Sequence, residues 1–143
     1  MKKVYKKRRR SRQILLQILY SLNFFDVKEI NFKGTVIEML NKNKIDFLYL
    51  DLLLSGMLKK KKILDIIIEY NFINYKYFNI LDKIIVKMAI FDIFFNKNVP
   101  LKVIVNEAIE LSKIFSSKGS YIFINKILNN LIKGYIFNVK FLF

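Results

Sequence analysis

Apolar residues recur along this chain at intervals of three and four, and little interrupts them: the 143 residues contain one proline, Pro100, and four glycines. That spacing puts an apolar side chain on one face of a helix at nearly every turn, so the chain is constrained to helices that pack through their stripes. Isoleucine and phenylalanine are abundant and would favour strands. Sustained apolar–polar alternation is scarce, however, so periodicity overrides propensity and the predicted class is all-α. Hydrophobic residues make up 54% of the chain, enough for a real core in one domain of this length.

Mean hydropathy is +0.26, which raises the question of a membrane. The longest stretch without a charge, Gln13 to Phe25, has 13 residues, whereas a spanning helix needs about 20 apolar residues in a row. The same stretch carries Gln13, Gln17, Ser21 and Asn23 with no small-residue cleavage site behind it, unlike a secretory signal. The expected location is the cytoplasm. There is no cysteine and no histidine, so disulfides, thiolate metal sites and the commonest general base are all excluded. The carboxylates form no tight cluster. Glu107 and Glu110 share a helix face, where a metal or acid–base role competes with the commoner role of a solvated face. No cofactor, metal or catalytic residue is expected.

Charge is the second constraint. The 26 basic and 11 acidic residues leave a net +15, and eight of the cations lie within residues 1–12, with no acid before Asp26. All four arginines, Arg8, Arg9, Arg10 and Arg12, fall in this stretch. Only arginine offers a planar fork that grips phosphate bidentately and stacks on bases. Anionic partners follow: nucleic acid, an acidic membrane surface or acidic proteins.

The first helix is predicted over about residues 8–24, with Leu15, Ile18, Leu19 and Leu22 buried. Arg9, Gln13, Gln17 and Tyr20 then share the opposite face. Base stacking with phosphate contact needs this combination, although a solvated face carrying one tyrosine fits the pattern equally well. Residues 26–34 read as a loop, followed by a short helix at about 35–43 with Val36, Ile37 and Leu40 inward. Asp46 is a candidate N-cap for a helix to about Leu58. Lys59–Lys62 either complements the dipole at its end or forms a second phosphate patch. Helical turns continue to about Tyr70, and 71–79 is a loop.

Asn79 is read as an N-cap with Asp82 at N3, for a helix to about Phe95 with Ile84, Met88, Phe91 and Phe95 in one apolar line. Pro100 suits the first turn of the next helix. Leu101, Ile104, Ala108, Leu111 and Phe115 face in along it, and Asn106, Glu107, Glu110 and Lys113 face out. After a loop around Gly119, Ser120 caps a helix to about Lys133, with Ile124, Ile127, Leu128 and Leu131 buried. The tail 134–143 is either a final packed turn or a loose apolar end. The domain reading is a flexible basic arm at 1–7, a single all-helical domain at 8–133 and an apolar tail at 134–143.

Four blocks in order carry a family resemblance. They are Arg8–Arg9–Arg10–Ser11–Arg12 with Leu16–Gln17–Ile18–Leu19–Tyr20; Tyr49 to Gly56; Val99 to Lys113, reading VPLKVIVNEAIELSK; and Phe123–Ile124–Asn125 with Ile127–Leu128. Together they resemble the NusB family of bacterial transcription antitermination proteins over residues 8–131. Asp82 and Lys83 stand where that family usually has an acidic–basic pair. The resemblance implies an all-helical fold of two small packed subdomains and a non-enzymatic RNA-binding function. It implies boxA-type single-stranded RNA, a NusE-type ribosomal small-subunit protein and the RNA polymerase antitermination complex as partners, chiefly on ribosomal RNA operons.

Carried over, Arg8, Arg9, Arg10 and Arg12 would contact RNA phosphates. Gln17 would join them, Tyr20 would lie between RNA and protein partner, Asp82 would meet NusE, and Phe123 would add RNA contact. Asn106 and Glu107 would organise the helix and loop. Lys118, Gly119 and Lys126 depart from the family pattern, and two of these add positive charge on that side. A NusB-like domain attached to an RNA methyltransferase is disfavoured, because no glycine-rich turn follows a strand. A membrane-surface role is disfavoured because the first helix needs its apolar stripe for the core.

Overall fold

The computed structural model of the chain describes residues 2–23, 44–72 and 74–142; the loop expected at 26–34 and the short helix expected at 35–43 lie outside the described residues. Every regular element among the described residues is helical. In order they are α1 (Lys2–Ser21), α2 (Phe47–Lys59), α3 (Lys61–Asn71), a 3₁₀ turn (Tyr75–Tyr77), α4 (Ile80–Phe95), α5 (Leu101–Phe115) and α6 (Ser120–Leu142). They form two compact units, Met1–Lys60 and Lys61–Phe143, so the stretch read as one domain divides within the lysine run.

In the first unit α1 packs against α2. Ile14, Leu15, Leu16 and Ile18 are buried from α1, and Tyr49, Leu50, Leu53 and Met57 from α2. Leu19 and Leu22 are half-buried. Helix α1 begins at Lys2, two turns earlier than predicted, so residues 2–7, expected as an arm, are helical. Nothing in that stretch breaks a helix. Lysine is a good helix former, and like-charge repulsion at i,i+4 costs only a few tenths of a kcal/mol per pair. Asp46 caps α2 as expected, its carboxylate accepting from the Tyr49 N–H at 3.0 Å. The Lys60 N–H bonds the Gly56 carbonyl at 2.9 Å, and α3 starts one residue later. The lysine run therefore straddles a helix–helix junction, with Lys59 in the last turn of α2.

In the second unit α4 is the central rod, packed on α3, α5 and α6, while α5 also packs on α6. Ile85, Val86 and Ile90 of α4 are completely enclosed. Around them close Leu64 and Ile68 of α3, Ile104, Ala108 and Leu111 of α5, and Ile124, Leu128 and Leu131 of α6. Each large side chain of this kind contributes roughly 1.5–3 kcal/mol on burial.

Several face assignments need correction. Phe95 is 37% exposed and covers the edge of Phe91, ring centroids 5.6 Å apart, because α4 ends there and leaves it at the rim. Leu101, Phe115 and Ile127 are half-buried. Glu107 is buried, not outward: it follows Ile104 by three and precedes Leu111 by four, which places it on the inner face. Asn106 and Lys113 do face out, and Glu110 is half-buried within 3.9 Å of the Lys113 ammonium.

Pro100 precedes the first turn of α5 in extended geometry, at φ −60° and ψ 141°. Gly119 adopts φ +89°, a region open to glycine but strained for other residues. Ser120 is the first residue of α6, not its cap. That helix passes Lys133 and Gly134 and continues to Leu142, so the tail is helical.

Candidate nucleic-acid interface

The predicted site residues divide between the units. Arg8, Arg9, Arg10, Arg12, Gln17 and Tyr20 all lie on α1, whereas Asp82 and Phe123 belong to the second unit. On α1 the helical turn separates the arginines into different environments. Arg9 and Gln17 are exposed, Tyr20 is 39% exposed and Gln13 is half-buried, so the expected outward stripe is present. Arg10 donates from Nη1 to the Gln13 Oε1 at 2.8 Å, which fixes the guanidinium beside that stripe. No carboxylate lies on α1.

Arg8 and Arg12 turn the other way. Their guanidinium carbons sit 5.1 and 5.0 Å from the centroid of the Tyr49 ring, within cation–π range. Arg8 remains 42% exposed along its side chain, with Nε 3.8 Å from Asp46 Oδ2. Arg12 is only 6% exposed. Its fork, expected among the phosphate contacts, is enclosed within the unit: position 12 lies one turn from Arg8 on the face that meets α2. Beside them Ser11, also fully buried, donates to the Lys7 carbonyl at 2.7 Å and accepts from the Asp46 N–H at 2.9 Å. Tyr49 and Asp46 thus order the arginine cluster. Asp46 was legible as a helix cap, but nothing local marked its second role beside Arg8, which depends on α2 lying against α1.

In the second unit Asp82 caps the start of α4 from N3 as expected. Its N–H donates to Asn79 Oδ1 at 2.8 Å, and its Oδ2 accepts from Asn79 Nδ2 at 3.0 Å. The carboxylate is 5% exposed and also accepts from Ser116 Oγ at 2.5 Å and Ser120 Oγ at 3.2 Å. It ties the head of α4 to the loop before α6. The carboxylate expected on a partner-facing surface is thus largely enclosed and engaged by three side-chain donors of its own unit.

Phe123 is 37% exposed and stands edge-on to Phe78, ring centroids 4.7 Å apart. Phe78 in turn meets Tyr75 at 5.3 Å and Phe72 at 6.4 Å. Lys83 lies 5.5 Å from the Tyr75 ring, and Lys76 lies 5.0 Å from the ring of Tyr77, itself 75% exposed. Burial, followed by the Asp65 and Glu69 charges, holds the Tyr75 phenol above its ordinary pKa, and its hydroxyl has no hydrogen-bond partner among the described residues. Phe123 is thus half anchor, half open ring, on a surface studded with lysines.

This chemistry suits single-stranded nucleic acid: cations to follow a backbone, with rings and amides to meet bases. Among the described residues there is no group of three or more metal-ligating side chains, and no helix is long and apolar enough to cross a membrane.

Comparison with known proteins agrees with this picture. The model of the NusB family matches residues 9–133. A transcription antitermination protein NusB of Clostridium novyi (strain NT) is 37% identical over 134 residues, covering 89% of this chain and 98% of that protein. A protein of the same name from Buchnera aphidicola subsp. Cinara cedri is 37% identical, covering 88% of this chain and 90% of the relative. One from Shewanella frigidimarina is 30% identical, covering 88% and 95%.

Proposed function

Because the chain belongs to the NusB family of transcription antitermination proteins, we propose that it binds boxA-type single-stranded RNA through the outer face of α1. It acts there as a non-enzymatic adaptor in the cytoplasm. A NusE-type ribosomal small-subunit protein binds with it, and the pair joins the RNA polymerase antitermination complex on ribosomal RNA operons.

One observation carries the RNA reading. Arg9, Gln17 and Tyr20 share the exposed face of a helix that has eight cations in its first eleven residues and no acid anywhere along it. Cations near a helix N-terminus oppose its dipole. Phosphates laid along this segment relieve both that opposition and the lysine–arginine repulsion.

The mechanism has two layers. Arg9, Arg10 and the part-exposed side chain of Arg8 neutralise phosphates, which supplies affinity with little sequence information. Unstacked bases meet Tyr20 and Gln17 on α1, which adds selectivity; Phe123, in the second unit, offers a part-exposed ring of its own for the same chemistry. Tyr20, at the end of α1, also serves the protein partner, whose surface then sets the register of the RNA.

Fluorescence anisotropy tests this reading, using a boxA-like RNA against a scrambled one, with and without the NusE-type partner, across a salt series. A preference for boxA that the partner sharpens is the expected result. Equal binding to both RNAs with no effect of the partner overturns it. Changing Arg9 and Arg10 together to Ala should lower the salt slope by about 1.4, since each single-strand phosphate contact contributes about 0.7.

A further inference from the structure

Tyr5 lies three turns before the residues that build the core of the first unit. It is 56% exposed, and its neighbour Val4 is 50% exposed. An exposed tyrosine is ordinary by itself. What distinguishes this one is its position on an ordered helix. Arg9 follows at i+4, the spacing at which helical side chains are neighbours, and Lys6 beside it is exposed as well. Tyr20 is fifteen residues further on, which at 1.5 Å and 100° per residue places it about 22 Å along the axis and about 60° around it. Two part-exposed rings therefore stand at the two ends of one helical half-face, with Lys6, Arg9, Gln13 and Gln17 between them.

We propose that Tyr5 is a second base-stacking platform, so that α1 holds an extended single strand of RNA along its length, with a base on Tyr5 at one end and a base on Tyr20 at the other. The proposal rests on the RNA reading of α1 given above. A span of about 22 Å suits roughly four nucleotides, the lower end of the site sizes seen for stacking-plus-backbone binders. The cations between the rings follow the backbone, and each ring accepts any base through its π-face. Helical order in residues 2–7 is essential: a flexible arm would have no fixed distance between Tyr5 and Tyr20. An anionic membrane fits less well. The apolar stripe of α1 is buried against α2, which leaves, among the described residues, Val4 and Tyr5 as the exposed apolar side chains at this end, far short of the broad apolar face an interfacial helix needs.

The test uses the full-length protein and labelled oligouridines of three to ten nucleotides. Wild-type affinity is expected to climb until the oligomer spans the helix. Tyr5→Ala should reach its plateau one or two nucleotides sooner. It should bind the long oligomers about tenfold more weakly, the scale of one base–aromatic stack, with an unchanged salt slope, while Tyr5→Phe keeps wild-type behaviour. Alanine is the better helix former, so loss of the helix does not account for such a result, and far-UV circular dichroism checks this. If Tyr5→Ala matches wild type at every length while Arg9→Ala and Tyr20→Ala weaken binding, the platform is refuted and the RNA reading stands. If wild type itself binds none of these RNAs, the RNA reading falls. Binding to phosphatidylserine vesicles that depends on Tyr5, with no dependence on Tyr5 for RNA, also overturns the proposal.

Discussion

Asp82→Ala removes the carboxylate that joins the head of α4 to the loop before α6. Three side-chain bonds disappear, from Ser116 at 2.5 Å, Asn79 at 3.0 Å and Ser120 at 3.2 Å. Hydrogen bonds to a charged group contribute about 1.5–3 kcal/mol each. The sum is discounted because Ser116 and Ser120 are half-buried and Asn79 is exposed, so water replaces part of what they lose. The short Ser116 bond and the charge–dipole term at the helix start, about 0.3–1 kcal/mol, are recovered least. The expected loss is about 2–3 kcal/mol, a fall of about 1 M in the urea midpoint at an unchanged slope of about 2 kcal/mol/M.

Urea unfolding followed by far-UV circular dichroism measures this loss. Asp82→Asn keeps the shape and one acceptor, and should cost about 1 kcal/mol. A double-mutant cycle with Ser116→Ala should show coupling of about 1 kcal/mol. A shift under about 0.5 kcal/mol for Asp82→Ala would refute the internal role. So would an Asp82→Asn protein of wild-type stability that loses a NusE-type partner, because the carboxylate would then be a surface contact.

The two kinds of arginine on α1 should separate cleanly. Arg12→Ala is expected to destabilise the first unit by about 1–2 kcal/mol, through the desolvated stack on Tyr49 and its buried stem, with the RNA salt slope nearly unchanged. Arg9→Ala should change stability by under about 0.5 kcal/mol and lower the slope by about 0.7; thermal melts and salt-dependent anisotropy read the two effects. Tyr75→Phe removes a buried hydroxyl without a partner, and should be neutral or stabilising by up to about 1 kcal/mol. The Tyr75 phenol is held above its ordinary value of about 10, so the folded state keeps a proton that the unfolded chain releases. Its contribution to stability is complete below pH about 10 and is lost as pH rises through the folded-state value. Tyr75→Phe should flatten that alkaline decline, and unfolding midpoints at pH 8, 10 and 11 show whether it does.

Much of this protein was determined by local pattern. The helical class, the caps at Asp46 and Asn79, the buried stripe of α6 and the outward stripe from Arg9 to Tyr20 follow from spacing, and backbone geometry converts spacing into faces without reference to the rest of the chain. The arginine motif and the VPLKVIVNEAIELSK block pointed to the family for the same reason: they are contiguous in sequence.

Tertiary packing decided what those residues do. Arg8, Arg9, Arg10 and Arg12 are chemically alike, and their division into an exposed, two half-buried and one buried side chain depends on where α2 lays Tyr49. Asp82 reads as a helix-cap acid in any context, and only the return of the chain at Ser116 and Ser120 converts it into an internal tie. Glu107 is charged, yet it is buried because the packing of α5 covers the face it occupies. The physical reason is common to all three. A residue's own turn sets its direction, but burial and partner choice depend on elements tens of residues away, and a single sequence carries no local signal for them.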